Sequence, residues 1–257
     1  MIPLWDSNPG RRFPVVTTTL IVVNVAVFLL YELPNRDAAV SQASFYPCDV
    51  TNACHLGIPW GLSWVTSMFM HVGWFHILGN MLYLAIFGNN VEDSFGRLGY
   101  LGFYLAGGLA ATVTQTAVTL LFGTPDDARV ANLGASGAIA AVLGAYIVLY
   151  PRARIFGFVG WIPVRIPAWL CLGLWFAIQL FAGDSAVTHP HQSGGVAFFA
   201  HVGGFVFGVV VALILTGAGK ITAAFPPEPE DDRRAQGRPP TGQDSPPPTG
   251  DSAPTHS

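Results

Sequence analysis

The sequence predicts an all-α membrane protein, a six-transmembrane-helix bundle, on three observations. Only 11% of the 257 residues are charged and 51% are hydrophobic, whereas a soluble domain carries roughly 25% charge. Six apolar runs follow one another between residues 13 and 217. The lysines and arginines between those runs fall in alternate loops, as they do in multi-span proteins.

Residues 1–12 read as a polar N-terminal segment ending in Arg11 and Arg12. From Val15 to about Leu33 the chain is apolar for long enough to cross a ~30 Å hydrocarbon core. The run exceeds a signal-peptide core and lacks a small-residue cleavage site, so it reads as a span. A mixed loop follows, from 34 to about 63, and holds Cys48 and Cys54. Further apolar runs cover about Trp74–Gly88, Gly99–Phe122, Leu133–Tyr150, Ala168–Ala182 and Val196–Thr216. The second and fourth are short and glycine-rich, which suits helices packed inside a bundle. Residues 13–217 thus form one membrane domain. From 218 to 257 the composition turns polar, with nine of the 20 prolines. Such a tail has too little apolar surface to fold and is expected to be disordered.

Ten of the 12 lysines and arginines lie in the N-terminal segment, in the loops after the second and fourth runs, and in the tail; only Arg36 and Arg129 fall on the other side. The positive-inside rule then makes both termini cytoplasmic. The absence of a basic stripe argues against nucleic acid. The absence of a Cys-x-x-Cys pair argues against a metal site, and nothing calls for a cofactor. Cys48 and Cys54 fit either a small disulfide in an oxidising compartment or two free thiols. The abundance of Ala, Gly, Pro and Arg suggests a bacterial plasma membrane.

Polar side chains inside a membrane are costly and mark function. Four stand out: His76, Asn80, Ser136 and His201, on the second, fourth and sixth helices. Under the derived topology these three helices run inward, and each residue lies in the first turns of its helix. All four therefore share one depth. Ser136 opens the fourth helix in Gly134-Ala135-Ser136-Gly137. The N–H groups of a helix N-terminus can stabilise an oxyanion beside it. His201 precedes Gly204 and Gly208, whose bare face allows tight helix packing, so it can reach Ser136 as a general base. His76 and Asn80, at i and i+4, share a face and both can donate hydrogen bonds. Each feature alone also fits ordinary packing or interhelical hydrogen bonding, and position alone leaves open which histidine is the base. No intramembrane Asp or Glu is available as a third member of a triad, so serine catalysis here is by a dyad.

In order, His71 with His76-Ile-Leu-Gly-Asn80, Gly88-x-x-x-Glu92, Gly134-Ala-Ser136-Gly137 and Ala200-His201-x-x-Gly204-x-x-x-Gly208 resemble the rhomboid family of intramembrane serine proteases over residues 13 to 217. The resemblance implies that Ser136 is the nucleophile and His201 the base. It implies that His76, Asn80 and the Ser136 N–H form the oxyanion hole. The fifth helix and the segment after it, 183–195, would gate substrates. It makes the partners transmembrane protein substrates within the lipid bilayer, cut near their extracytoplasmic ends where the helix is locally unstable; oligomeric state is left unknown. Two departures stand out. Many members carry Trp-Arg where this chain has Leu62 and Ser63. Many carry an aromatic residue four after the serine, where this chain has Ala140, so support for the His201 ring has to come from elsewhere. The competing readings are a catalytically silent relative that binds transmembrane helices, and a small transporter, which would need polar residues through the full depth.

Overall fold

The computed structural model describes residues 2–8, 10–188 and 197–223. Most of the segment 183–195 expected to gate substrates, and the proline-rich tail, lie outside the described residues. The elements run β1 Ile2–Asp6, α1 Val15–Val27, α2 Arg36–Ala43, α3 Pro47–Val50, α4 Trp60–Thr66, α5 Trp74–Phe95, α6 Arg97–Phe122, α7 Ser136–Leu149, β2 Arg154–Val159, β3 Ile162–Pro167, α8 Ala168–Thr188 and α9 Phe198–Gly217. The all-α bundle expected from the sequence is present, and α1, α5, α6, α7, α8 and α9 occupy the six apolar runs. Among the described residues, three helices are long and apolar enough to cross a membrane on their own: Val15–Glu32, which includes a widened last turn, Arg97–Phe122 and Phe198–Gly217. A fourth span arises if α5 is joined to the α4 segment, from which it is bent by 80°. The remaining two apolar helices, α7 and the Ala168–Gly183 part of α8, are shorter.

α7 has 14 residues, about 21 Å at 1.5 Å per residue, less than a bilayer core. Its shortness is tolerable because protein, not lipid, surrounds it: every residue from Gly137 to Tyr146 is buried. A helix apolar on all sides belongs in the middle of a bundle. Its closest neighbour is α9. A Cβ on Gly204 would collide with the Gly137 carbonyl, one on Gly208 with the Ala141 carbonyl, and one on Gly144 with the Phe205 carbonyl. The two backbones are therefore in direct contact. On the other side of α7, a Cβ on Gly137 would come within 2.6 Å of Ala111 on α6.

α5 runs past Gly88 to Phe95. Its last turns look too polar to be membrane helix, but those polar groups have partners. The Glu92 carboxylate accepts from the N–H groups of Val16 and Thr17 at 2.9 and 2.8 Å and from the Thr17 hydroxyl at 2.8 Å. It thus caps the N-terminus of α1, where N–H groups lack helical acceptors and the dipole favours negative charge. Gly88 leaves the space into which Thr17 fits, since a Cβ there would sit 3.0 Å from it.

The helical reading did not foresee a three-stranded antiparallel sheet, β1-β2-β3, at the end of the bundle where α5 and α7 finish. Its prolines, Pro3, Pro163 and Pro167, all lie on the edge strands, where no ladder donor is lost. The Asp6 carboxylate accepts from Asn90 Nδ2 at 2.8 Å and from the Tyr146 hydroxyl, and Asn8 donates to Asn90 at 3.0 Å. These bonds tie the N-terminal strand to α5 and α7.

Between α1 and α5 the first loop folds into α2, α3 and α4, closed by a Cys48–Cys54 disulfide, which resolves the open choice between bridge and free thiols. Where Trp-Arg is absent, other bonds brace this loop. Buried Glu32 accepts from the His71 N–H at 3.0 and 2.9 Å. Phe45 and Asn132 exchange backbone bonds of 3.0 and 2.7 Å, and Gly134 N–H donates to the Ser67 carbonyl at 2.8 Å. Ser63 is fully buried and bonds back to the Trp60 carbonyl at 3.0 Å, whereas Leu62 is exposed.

Two stability outcomes follow. Gly208→Leu drives a side chain into the α7 backbone and should cost at least about 2 kcal/mol, seen as a lower Tm in detergent. Glu92→Ala strips three hydrogen bonds from a buried helix end and should cost about 2 to 4 kcal/mol; an unchanged melting curve would contradict the cap.

Candidate active site

Ser136 and His201 meet because of the α7–α9 contact. Ser136 is the first residue of α7, and His201 lies in the first turn of α9. With the two backbones touching at the glycines, His201 Nε2 lies 2.8 Å from Ser136 Oγ. Of the two histidines that position left open, His201 is the one hydrogen-bonded to the serine. A hydroxyl bonded to an imidazole nitrogen is the arrangement in which the ring can take the proton as the oxygen attacks.

His76 and Asn80 are on the first two turns of α5 and line the same cavity as Ser136 and His201, of about 630 Å³. Gly134, at φ +122°, makes room for the His76 ring: a Cβ there would come within 2.8 Å of its Cε1 and 3.0 Å of its Nε2, and 3.6 Å from Ser136 Oγ. His76 therefore sits beside the serine. Asn80 Nδ2 and His76 Nδ1 are buried without a hydrogen-bond partner among the described residues. Buried donors usually have partners, and exceptions in a cavity beside a nucleophile suit an oxyanion that forms only during reaction. His71 is fully buried with its ring edge-on to His76, centroids 5.1 Å apart, which makes it a wall behind His76 rather than part of the cavity. No Asp or Glu is among the described residues lining this cavity.

Two residues not singled out in the sequence complete the surroundings of His201. Gln179 on α8 places Oε1 2.9 Å from His201 Nδ1. Trp175, one turn earlier on the same helix, packs its ring at 5.9 Å from the imidazole. The missing signal was available: Gln179 is the one amide in the apolar run Ala168–Ala182, and an intramembrane polar residue marks function by default. Glu32, which anchors His71, went unremarked because it falls at the end of the first apolar run.

The rhomboid domain model matches residues 59–218. "Rhomboid protein 1, mitochondrial" of Saccharomyces cerevisiae is 28% identical over 203 residues, which is 77% of this chain and 53% of that protein. "Presenilin-associated rhomboid-like protein A, mitochondrial" of Danio rerio is 33% identical over 215 residues, 80% of this chain and 48% of that protein. The Bacillus subtilis protein named "Putative rhomboid protease YdcA" is 26% identical over 141 residues, 54% of this chain and 64% of that protein. The chain spans about half the length of the first two relatives. The matched range spans α5, α7 and α9, and this chain belongs to the rhomboid family.

Proposed function

We propose that this protein is an intramembrane serine endopeptidase that cuts transmembrane segments of other membrane proteins with a Ser136–His201 dyad. The single observation that carries the reading is the 2.8 Å Oγ···Nε2 bond inside a cavity that also holds His76 and Asn80. Ser136 Oγ attacks the peptide carbonyl while His201 Nε2 takes its proton. The carbonyl oxygen becomes an oxyanion, held by Asn80, His76 and the first N–H groups of α7. Protonated His201 then delivers the proton to the departing amine, leaving an acyl-enzyme. Water, deprotonated by His201, attacks the ester, and the proton returns to Ser136 as the acid leaves. The substrate peptide must leave its helix first, because a helical backbone has its groups engaged. Substrates with locally unstable helices therefore suit the site.

The arginine distribution supports an orientation with the sheet and both termini in the cytoplasm, and the dyad toward the extracytoplasmic side. The relatives do not favour the bacterial plasma membrane that composition suggested: two of the three above are named mitochondrial. The compartment is therefore left as a membrane. One relative carries protease in its name, which favours the catalytic reading.

Purified protein with a model transmembrane substrate tests this. Ser136→Ala and His201→Ala should each lower cleavage by at least about three orders of magnitude. A folded wild type that leaves several substrates intact would instead favour a silent, helix-binding relative. Asn80→Ala should lower kcat on the order of 10²-fold with little change in KM; a change confined to KM would take Asn80 out of the oxyanion role.

A further inference from the structure

A dyad base has a difficulty that a triad base does not. Neutral imidazole exists as two tautomers, and only the one protonated on Nδ1 leaves Nε2 free to accept from the serine. In a triad a carboxylate on Nδ1–H makes that choice and fixes the ring. Here the described residues lining the cavity include no carboxylate. A buried carboxylate would carry a large desolvation cost in this apolar setting.

Gln179 sits where that third group would be. Its Oε1 is 2.9 Å from His201 Nδ1, while the other ring nitrogen faces Ser136 at 2.8 Å. The serine proton has to go to Nε2, so Nδ1 carries the hydrogen and the amide oxygen accepts it. Trp175 and Gln179 are four residues apart on α8 and so share a face; the tryptophan flanks the ring and the glutamine bonds its far nitrogen. Ala140 explains why α8 does this. It lines the same cavity but carries only a methyl group, so it cannot brace the ring as a large aromatic side chain would. Support comes from the opposite wall instead.

We propose that Gln179 is a positioning residue for the general base: its amide oxygen selects the Nδ1-protonated tautomer of His201 and holds the ring toward Ser136, completing the dyad with a neutral third member. This rests on the serine protease reading above. A neutral acceptor stabilises the imidazolium less than a carboxylate does, so its share is a fraction of the roughly 10²- to 10⁴-fold worth of a general base.

The test compares wild type, Gln179→Met, Gln179→Leu, Gln179→Glu and Ser136→Ala in detergent. Two readouts are taken: the rate at which a fluorophosphonate probe labels the serine, with loss of fluoride, and the kcat and KM for a model transmembrane substrate. Gln179→Met keeps the length of the side chain without an acceptor and should slow labelling and kcat roughly 10- to 100-fold with KM and Tm little changed. Gln179→Leu repeats the removal with a different shape. Gln179→Glu restores an acceptor and should return labelling to within several-fold of wild type. Labelling of the Met or Leu variant at the wild-type rate overturns the proposal. So does a folded Glu variant as slow as Met, because packing alone would then explain the loss. Wild type that takes no label, like Ser136→Ala, would fail the dyad reading itself and this inference with it.

Discussion

Where α7 and α9 cross, glycines at 144, 204 and 208 leave nothing between the two backbones. Any side chain there would push the helices apart by an ångström or more, and a hydrogen bond does not survive that. Ser136 and His201 stand one turn beyond this contact, each at the opening of its helix. The same glycines that carry no chemistry therefore set the distance at which the chemistry is possible. The bundle around α7 serves this contact. α6 closes on α7 through Gly107, whose own Cβ position is occupied by Ala141, and through Gly137 against Ala111.

A second layer fixes what surrounds the dyad. The stretch before Ser136 is held by backbone bonds to Phe45 and Ser67, and the stretch before α5 by Glu32 on the His71 N–H. At the other end, Glu92 caps α1 and Asp6 joins β1 to α5 and α7. Each anchor is a buried or half-buried polar group whose partners come from far along the chain. In an apolar interior an unpaired group is expensive, so such bonds specify one arrangement.

What the sequence made legible follows from which signals are local. Hydropathy located six helices because each needs only its own residues. The depth argument found His76, Asn80, Ser136 and His201 because helix direction can be counted from the arginines. The sheet escaped because β1 and β2 are some 150 residues apart, and because the edge strands β1 and β3 are interrupted by proline and do not read as strands alone. The polar end of α5, beyond the apolar run that stops near Gly88, gives no sign in the sequence of what it bonds, because its partners for Asn90 and Glu92 come from β1 and α1. Gln179 escaped for a different reason: a glutamine in an apolar run has no motif, and only the packing of α8 beside α9 shows which nitrogen it faces.

The bond between Gln179 and His201 joins the ring to α8, which the resemblance would make part of the substrate gate. In the proposed peptidase, a peptide admitted by displacing α8 would carry the amide away from the imidazole as it comes in. The histidine would then be free to turn, and the serine would be an ordinary alcohol until α8 returns. Opening and cutting would be successive states rather than simultaneous ones. A helix that visits and leaves would escape uncut, and one that stays long enough for the wall to close behind it would be committed. Selectivity would lie in residence time as much as in fit.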